Sequence, residues 1–167
     1  MERLGAIAKC APPLRSRHEQ RELWQRLADI STVGSDHSPS PPEMKQDANF
    51  FRVWGGISGC QHLLSLLLDG VPATEIARLT SSGVAERFSL PQKGGFAIGK
   101  DADFTLVENT EEVVTGESLH YRHRQSPYLG RKLRGRVVRT FLRGQVIFEN
   151  GSFSLRTFGQ FVRPAQP

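Results

Sequence analysis

The sequence is poor in the residue patterns that secreted, membrane-spanning and self-contained metal proteins depend on. Its 167 residues hold only two cysteines. Cys10 and Cys60 stand far apart, with no Cys-x-x-Cys or Cys/His spacing, which argues against a zinc finger or a disulfide framework and reads as two reduced, buried thiols. No apolar run approaches the roughly 20 residues of a membrane span. The longest candidate, Leu63 to Leu68, is interrupted by Ser65. The opening MERLGAIAKC has no extended apolar core of a secretory signal. A cytoplasmic protein without a membrane partner is therefore expected. Histidine is also sparse: the five residues, at 18, 37, 62, 120 and 123, contain no His-x-His pair. His120 and His123 form a His-x-x-His, which without further ligands reads as packing and not as a metal site.

What is present suits a single packed domain, or one domain with a small appendage: 38% of residues are apolar and 23% charged. The formal net charge of +5 is concentrated. Arg122, Arg124, Arg131, Lys132, Arg134, Arg136, Arg139 and Arg143 form one basic segment. Its cations are interleaved with Val137, Val138, Phe141 and Leu142, the pattern of a half-buried strand with a solvated cationic face. No nucleic-acid motif accompanies the charge, so no nucleic-acid partner is expected.

Along the chain, Leu4–Ala8 reads as a short buried strand that stops at Pro12-Pro13. Glu19–Ala28 carries Leu23, Trp24 and Leu27 at helical spacing, and Ile30–Gly34 reads as a second strand, giving a βαβ unit with parallel strands. Gly59–Leu68 predicts a mostly buried helix. Thr74–Thr80 and Ser82–Phe88 predict two more, with Ser82 as N-cap of the second. The character then changes. Lys93-Gly94-Gly95 and Gly99-Lys100-Asp101 are turn signals, and Phe104–Val107 is a strand. Val137–Leu142 and Val146–Phe148 flank Arg143-Gly144-Gln145 as a hairpin, and Asn150-Gly151 marks the next turn. The N-terminal half is α/β and the C-terminal half β-rich.

Three groups of residues then follow in an order that is more specific than any of these patterns: Lys9-Cys10-Ala11-Pro12-Pro13-Leu14-Arg15, Ser35-Asp36-His37-Ser38-Pro39 with Pro42-Glu43-Met44-Lys45, and Phe51-Arg52-Val53-Trp54-Gly55-Gly56-Ile57. Together with Leu119-His-Tyr-Arg-His123 and Ser126-Pro-Tyr-Leu-Gly130, they resemble the C-terminal part of an allantoinase, a cyclic amidase of the metal-dependent amidohydrolase superfamily. Lys93 to Phe104 resembles that superfamily's broader KGxIxxGxDADL signature, which alone is weakly specific. The resemblance covers almost the whole chain. It implies an α/β fold, in which residues 1–90 are the last strands and helices of a TIM barrel and residues 91–167 are part of a small β-sandwich. The implied reaction is hydrolytic opening of the allantoin ring to allantoate, with two divalent metals, binuclear zinc, holding a hydroxide. Metal-bound water is acidified toward neutrality, and a carboxylate beside it takes up and returns a proton. Asp36 matches that aspartate, as metal ligand and proton carrier, at the end of a strand where barrel enzymes keep their sites. Ser38 and Ala11 match positions whose main-chain groups hydrogen-bond the substrate ring. The complete enzyme is expected to be a homo-oligomer.

Plainer readings stand beside these. An aspartate before a proline-rich stretch is often only a turn former, His37 reads as a hydrogen-bonded loop histidine, and Gly55-Gly56 is explained by close packing as well as by a pocket. A whole barrel also takes about 250 residues, and only two of its strands can be placed here. The family's His-x-His pair, carboxylated lysine and two later histidines have no counterpart. One carboxylate does not hold a catalytic metal pair, so the isolated chain is expected to be inactive. Two other readings remain: another cyclic amidase of the hydantoinase type, against which SPYLG argues, and a non-catalytic assembly partner or relic.

Overall fold

A computed structural model describes residues 4–165. They form two compact units, each interleaved along the sequence.

The first unit takes in residues 4–29, 34–63 and 113–132 and is mostly loop. Its one longer helix, α1 (Arg17–Gln25), begins where Ser16 and Glu19 cap each other. The Ser16 hydroxyl accepts the Glu19 N–H at 3.2 Å, and the Glu19 carboxylate accepts the Ser16 N–H at 2.9 Å. This capping box satisfies two of the orphan donors at the helix start. The helix ends at Gln25, and Leu27–Asp29 follows as a separate 3-10 turn. Further 3-10 turns occupy Gly5–Ala8, Pro42–Lys45 and Cys60–His62.

Two lysines hold this loop-rich unit together. The Lys9 ammonium donates to the carbonyls of Phe50 (2.7 Å), Phe51 (3.3 Å) and Val53 (2.7 Å). Lys45 donates to the carbonyls of Lys9 (3.0 Å) and Trp54 (2.9 Å). Burial, followed by the neighbouring Lys9 charge, holds the Lys45 ammonium below its ordinary value. Main-chain carbonyls left over by an irregular backbone are thus satisfied by side-chain donors.

The second unit takes in residues 30–33, 64–112 and 133–165. Helix α2 (Leu63–Leu68) leads to α3 (Ala73–Ala77), a single π turn at Arg78–Ser82, and α4 (Gly83–Arg87). Leu67, Val71, Ile76, Leu79, Ala85 and Leu133 are its buried apolar residues. A sheet ordered β1-β2-β3-β4 follows, made of Phe104–Val113, Lys132–Leu142, Gln145–Glu149 and Ser152–Phe153. β2 pairs antiparallel with β3 and β3 with β4. Both turns carry two successive residues at positive φ, Arg143 (48°) with Gly144 (76°) and Asn150 (45°) with Gly151 (85°). That is the type I′ geometry whose twist matches paired strands. The α2 helix meets β2 at Gly135, where an added Cβ would lie 2.4 Å from Leu68 Cδ1 and where the Ser65 hydroxyl donates to the Gly135 carbonyl at 3.0 Å.

The basic segment behaves as its alternation predicts. Arg136 pairs with Glu108 at 2.7 Å, Arg139 pairs with Glu149, and Arg134 Nε donates to Asn109 at 2.8 Å. A second charged cluster explains the Asp-Ala-Asp signature. Lys93 Nζ lies 2.7 Å from Asp101 and 2.5 Å from Asp103, and Asp103 also accepts the Arg143 N–H at 2.7 Å. Burial alone would lower the Lys93 ammonium, but its bonds to the two aspartates outweigh this and raise it.

Three expectations are corrected. Leu4–Ala8 is no strand: Gly5 sits at φ +55° and Gly5–Ala8 is a 3-10 turn. Ile30–Gly34 is irregular and gives its Val33 N–H to the Leu79 carbonyl at 3.0 Å. Without neighbouring strands to supply a ladder, an apolar run stays irregular. The βαβ unit is therefore absent among the described residues, and they contain one small sheet. The two helices expected after Pro72 run on through the π turn, so Ser82 lies inside a helical stretch and caps nothing (φ −65°, ψ −44°).

Candidate active site

Two of the three residues singled out by the sequence, Ala11 and Ser38, meet around Gly55-Gly56 in the first unit, and Asp36 stands two residues before Ser38. A Cβ added at Gly55 would sit 3.4 Å from Ala11 Cβ. One added at Gly56 would sit 2.3 Å from Ser38 Oγ and 2.7 Å from the Ser38 carbonyl oxygen. Ala11 and Ser38 therefore flank one dipeptide, and the second glycine is required there by close approach. Trp54 ties the arrangement further, since its indole N–H points to the Ser38 carbonyl at 3.4 Å.

Residues 35–38 lie along Ile57–Cys60. The Ser38 N–H donates to the Ile57 carbonyl at 2.9 Å, and the Gly59 N–H donates to His37 Nδ1 at 3.1 Å. A Cβ at Gly59 would lie 2.9 Å from the Ser35 carbonyl oxygen. Asp36, between these contacts, is exposed and has φ +44°. That is the left-handed region, which non-glycine residues adopt rarely and aspartate more readily than most.

The segment 118–128 supports this arrangement from behind. The Tyr121 hydroxyl accepts the Gln61 N–H at 3.0 Å and lies 3.5 Å from His62 Nδ1. Gln61 Oε1 accepts the His120 N–H at 2.9 Å, and Gln125 Nε2 donates to the Ser40 carbonyl at 2.5 Å. Ser40 and Ser126 are both buried. Burial pushes the Tyr121 hydroxyl up to about 12 and holds the His62 imidazole below its ordinary value. The bonds made by Lys9, Lys45, Gln61, Tyr121 and Gln125 were not foreseen, although Lys9, Lys45 and Tyr121 stand in the quoted segments, because each meets a main-chain group outside its own segment.

The chemistry available is that of one exposed carboxylate beside immobilised main-chain groups. Among the described residues no three His, Cys, Asp or Glu side chains come together as a metal-binding set. His37 Nδ1 is already used as an acceptor. The donors of this chain alone do not fit the divalent metal pair implied for Asp36. No helix among the described residues is long and apolar enough to cross a membrane.

No family model matches the chain. An L-hydantoinase (dihydropyrimidinase) from Arthrobacter aurescens superposes on 97% of the chain with a TM-score of 0.91 at 31% identity, and the chain covers 39% of that structure. In backbone and sequence the chain is thus similar to part of a hydantoinase. Two curated relatives sharpen this. It is 52% identical to the allantoinase of Rubrobacter xylanophilus over 97% of its own length, and 48% identical to that of Deinococcus radiodurans over 98%. It spans 38% of the length of each relative. The chain corresponds to the C-terminal portion of an allantoinase.

Proposed function

We propose that the chain supplies one wall of an allantoinase active site, for hydrolysis of the cyclic amide of allantoin to allantoate in purine catabolism. The observation that carries this reading is the meeting of Ser38 and Ala11 about Gly55-Gly56, two residues from the exposed Asp36, in a chain matched over nearly its whole length by allantoinases. Asp36 is the group that takes up a proton during attack on the ring and returns it to the departing amide nitrogen. Ser38 binds the ring through its carbonyl oxygen, because its N–H is committed to Ile57. Ala11 offers main-chain groups on the other side of the glycine pair. Residues 1–90 belong to the barrel part of such an enzyme and residues 91–167 to its sandwich part. The ligands of a divalent metal pair other than Asp36 lie outside this chain, so the isolated chain is inactive.

The test is a chimera in which this chain replaces the matching C-terminal portion of the Rubrobacter xylanophilus allantoinase. It should hydrolyse allantoin in preference to hydantoin and to a dihydropyrimidine. A folded chimera that prefers hydantoin would support the hydantoinase alternative. One that turns over none of the three would support the non-catalytic reading.

A further inference from the structure

His37 follows Asp36 directly, yet the proposed chemistry makes no use of it. Its ring is fixed from two sides. Nδ1 accepts the Gly59 N–H at 3.1 Å, with the Cys60 N–H at 3.5 Å, and the ring lies 5.2 Å from that of Tyr121, tilted by 34°. A main-chain N–H can only donate, so the geometry makes Nδ1 the acceptor of the ring. One residue further on, the Ser38 N–H is held by the Ile57 carbonyl. One residue before Asp36, the Ser35 carbonyl oxygen lies 2.9 Å from where a Gly59 Cβ would sit.

Residues 37 and 38 are therefore hydrogen-bonded to one four-residue segment, 57–60, Ser35 passes close to it, and Asp36 among them is exposed. Its left-handed backbone (φ +44°) is the kind that persists where the surroundings over-determine it. Of the hydrogen bonds described between residues 35–38 and this segment, those to His37 are made by a side chain and that of Ser38 by the main chain. The His37 contact is thus the one that a choice of residue at the position after the aspartate can create or remove. Gly59, for its part, cannot carry a side chain without meeting Ser35. The two motifs are halves of one joint.

We infer that His37 is a positioning residue for Asp36, acting through the acceptor at Nδ1. The inference rests on the reading of Asp36 as proton carrier. The competing account is that His37 matters only as a ring packed on Tyr121. Three substitutions in the chimera separate the two. Asparagine places an amide oxygen near the position of Nδ1, glutamine places it near Nε2, and phenylalanine keeps the ring but has no acceptor.

The expected result is that His37→Asn retains most of the parent kcat, while His37→Phe and His37→Gln lose up to about 100-fold in kcat. KM should change by less than about threefold in all three, because Ser38 and Ala11 are untouched. The glutamine variant keeps the comparison available where the phenylalanine variant does not fold. A phenylalanine or glutamine variant as active as the asparagine variant, in an active chimera, overturns the role of His37 alone. A folded parent chimera without allantoin hydrolysis overturns the reading of Asp36, and this inference with it.

Discussion

Replacing Gly56 by alanine is the sharpest probe of how the Asp36 loop is seated. The new methyl would meet Ser38 Oγ at 2.3 Å, Ser38 Cβ at 2.6 Å and the Ser38 carbonyl oxygen at 2.7 Å. The hydroxyl can rotate away, but the carbonyl belongs to a backbone pinned by the Ile57 bond, and ordinary contact begins at 3.4 Å. The carbonyl must therefore retreat by about 0.7 Å, an overpacking displacement that costs roughly 1–3 kcal/mol. Because the same carbonyl is assigned to the substrate ring, KM should rise as well, and a misplacement approaching 1 Å can cost up to about 100-fold in rate. The control lies in the same loop. Gly34 has no atom within 4 Å of an added Cβ and no positive φ. Gly34→Ala should be neutral, or stabilising by about 0.4–1 kcal/mol through the unfolded chain. Gly59→Ala, facing the Ser35 carbonyl oxygen at 2.9 Å, should fall between them. Denaturant unfolding of the three chimera variants, with allantoin kinetics, gives the ranking. A Gly56→Ala protein as stable and as active as Gly34→Ala would refute the close approach.

Other outcomes follow from the same geometry. The isolated chain should show no allantoin hydrolysis with added zinc, manganese or cobalt; turnover that Asp36→Asn abolishes would count against this. It should also self-associate, because Phe51, Phe96, Ile98, Leu155 and Phe161 are more than four-fifths exposed; a monodisperse monomer with cooperative unfolding in sedimentation and melting experiments would contradict it. Lys93→Met leaves Asp101 and Asp103 without their shared ammonium and should destabilise the chimera by on the order of 1–3 kcal/mol, read by denaturant unfolding; an unchanged midpoint would mean the cluster is only decorative. His62 is held below its ordinary value of 6.5 by burial. The unfolded chain therefore binds the proton more readily than the folded one, and this contribution to stability, complete above about pH 6.5, declines as the pH falls below it. Melting temperatures of parent and His62→Gln chimeras between pH 7.5 and 5.5 should converge toward low pH, and parallel curves would exclude the effect.

The sequence was most legible where structure is local. Arg143-Gly144 and Asn150-Gly151 turn as expected, because a type I′ turn depends on two residues able to reach positive φ. The basic alternation through β2 was legible for the same reason. Leu4–Ala8 and Ile30–Gly34 misled because a strand is defined by its neighbours, and an apolar run carries no record of whether they are present. Ser82 misled because a capping residue and a mid-helix serine look alike until the helix start is known. The site was half legible. Asp36, Ser38, Ala11 and the glycines could be singled out by resemblance. That Gly56 must clear Ser38 and Gly59 must clear Ser35 could not, since those contacts join residues 18 and 24 positions apart. The lysine bonds from Lys9 to Phe50, Phe51 and Val53 were hidden likewise, because an ammonium meeting carbonyls leaves no pattern of side-chain types.

The most direct test of the whole reading is allantoin hydrolysis by the chimera and by its Asp36→Asn variant, with unfolding curves measured on both. An active parent and a variant that folds equally well but loses turnover by several orders of magnitude is the expected result. An Asp36→Asn chimera that keeps the parent rate would contradict the assignment of this chain's reacting group.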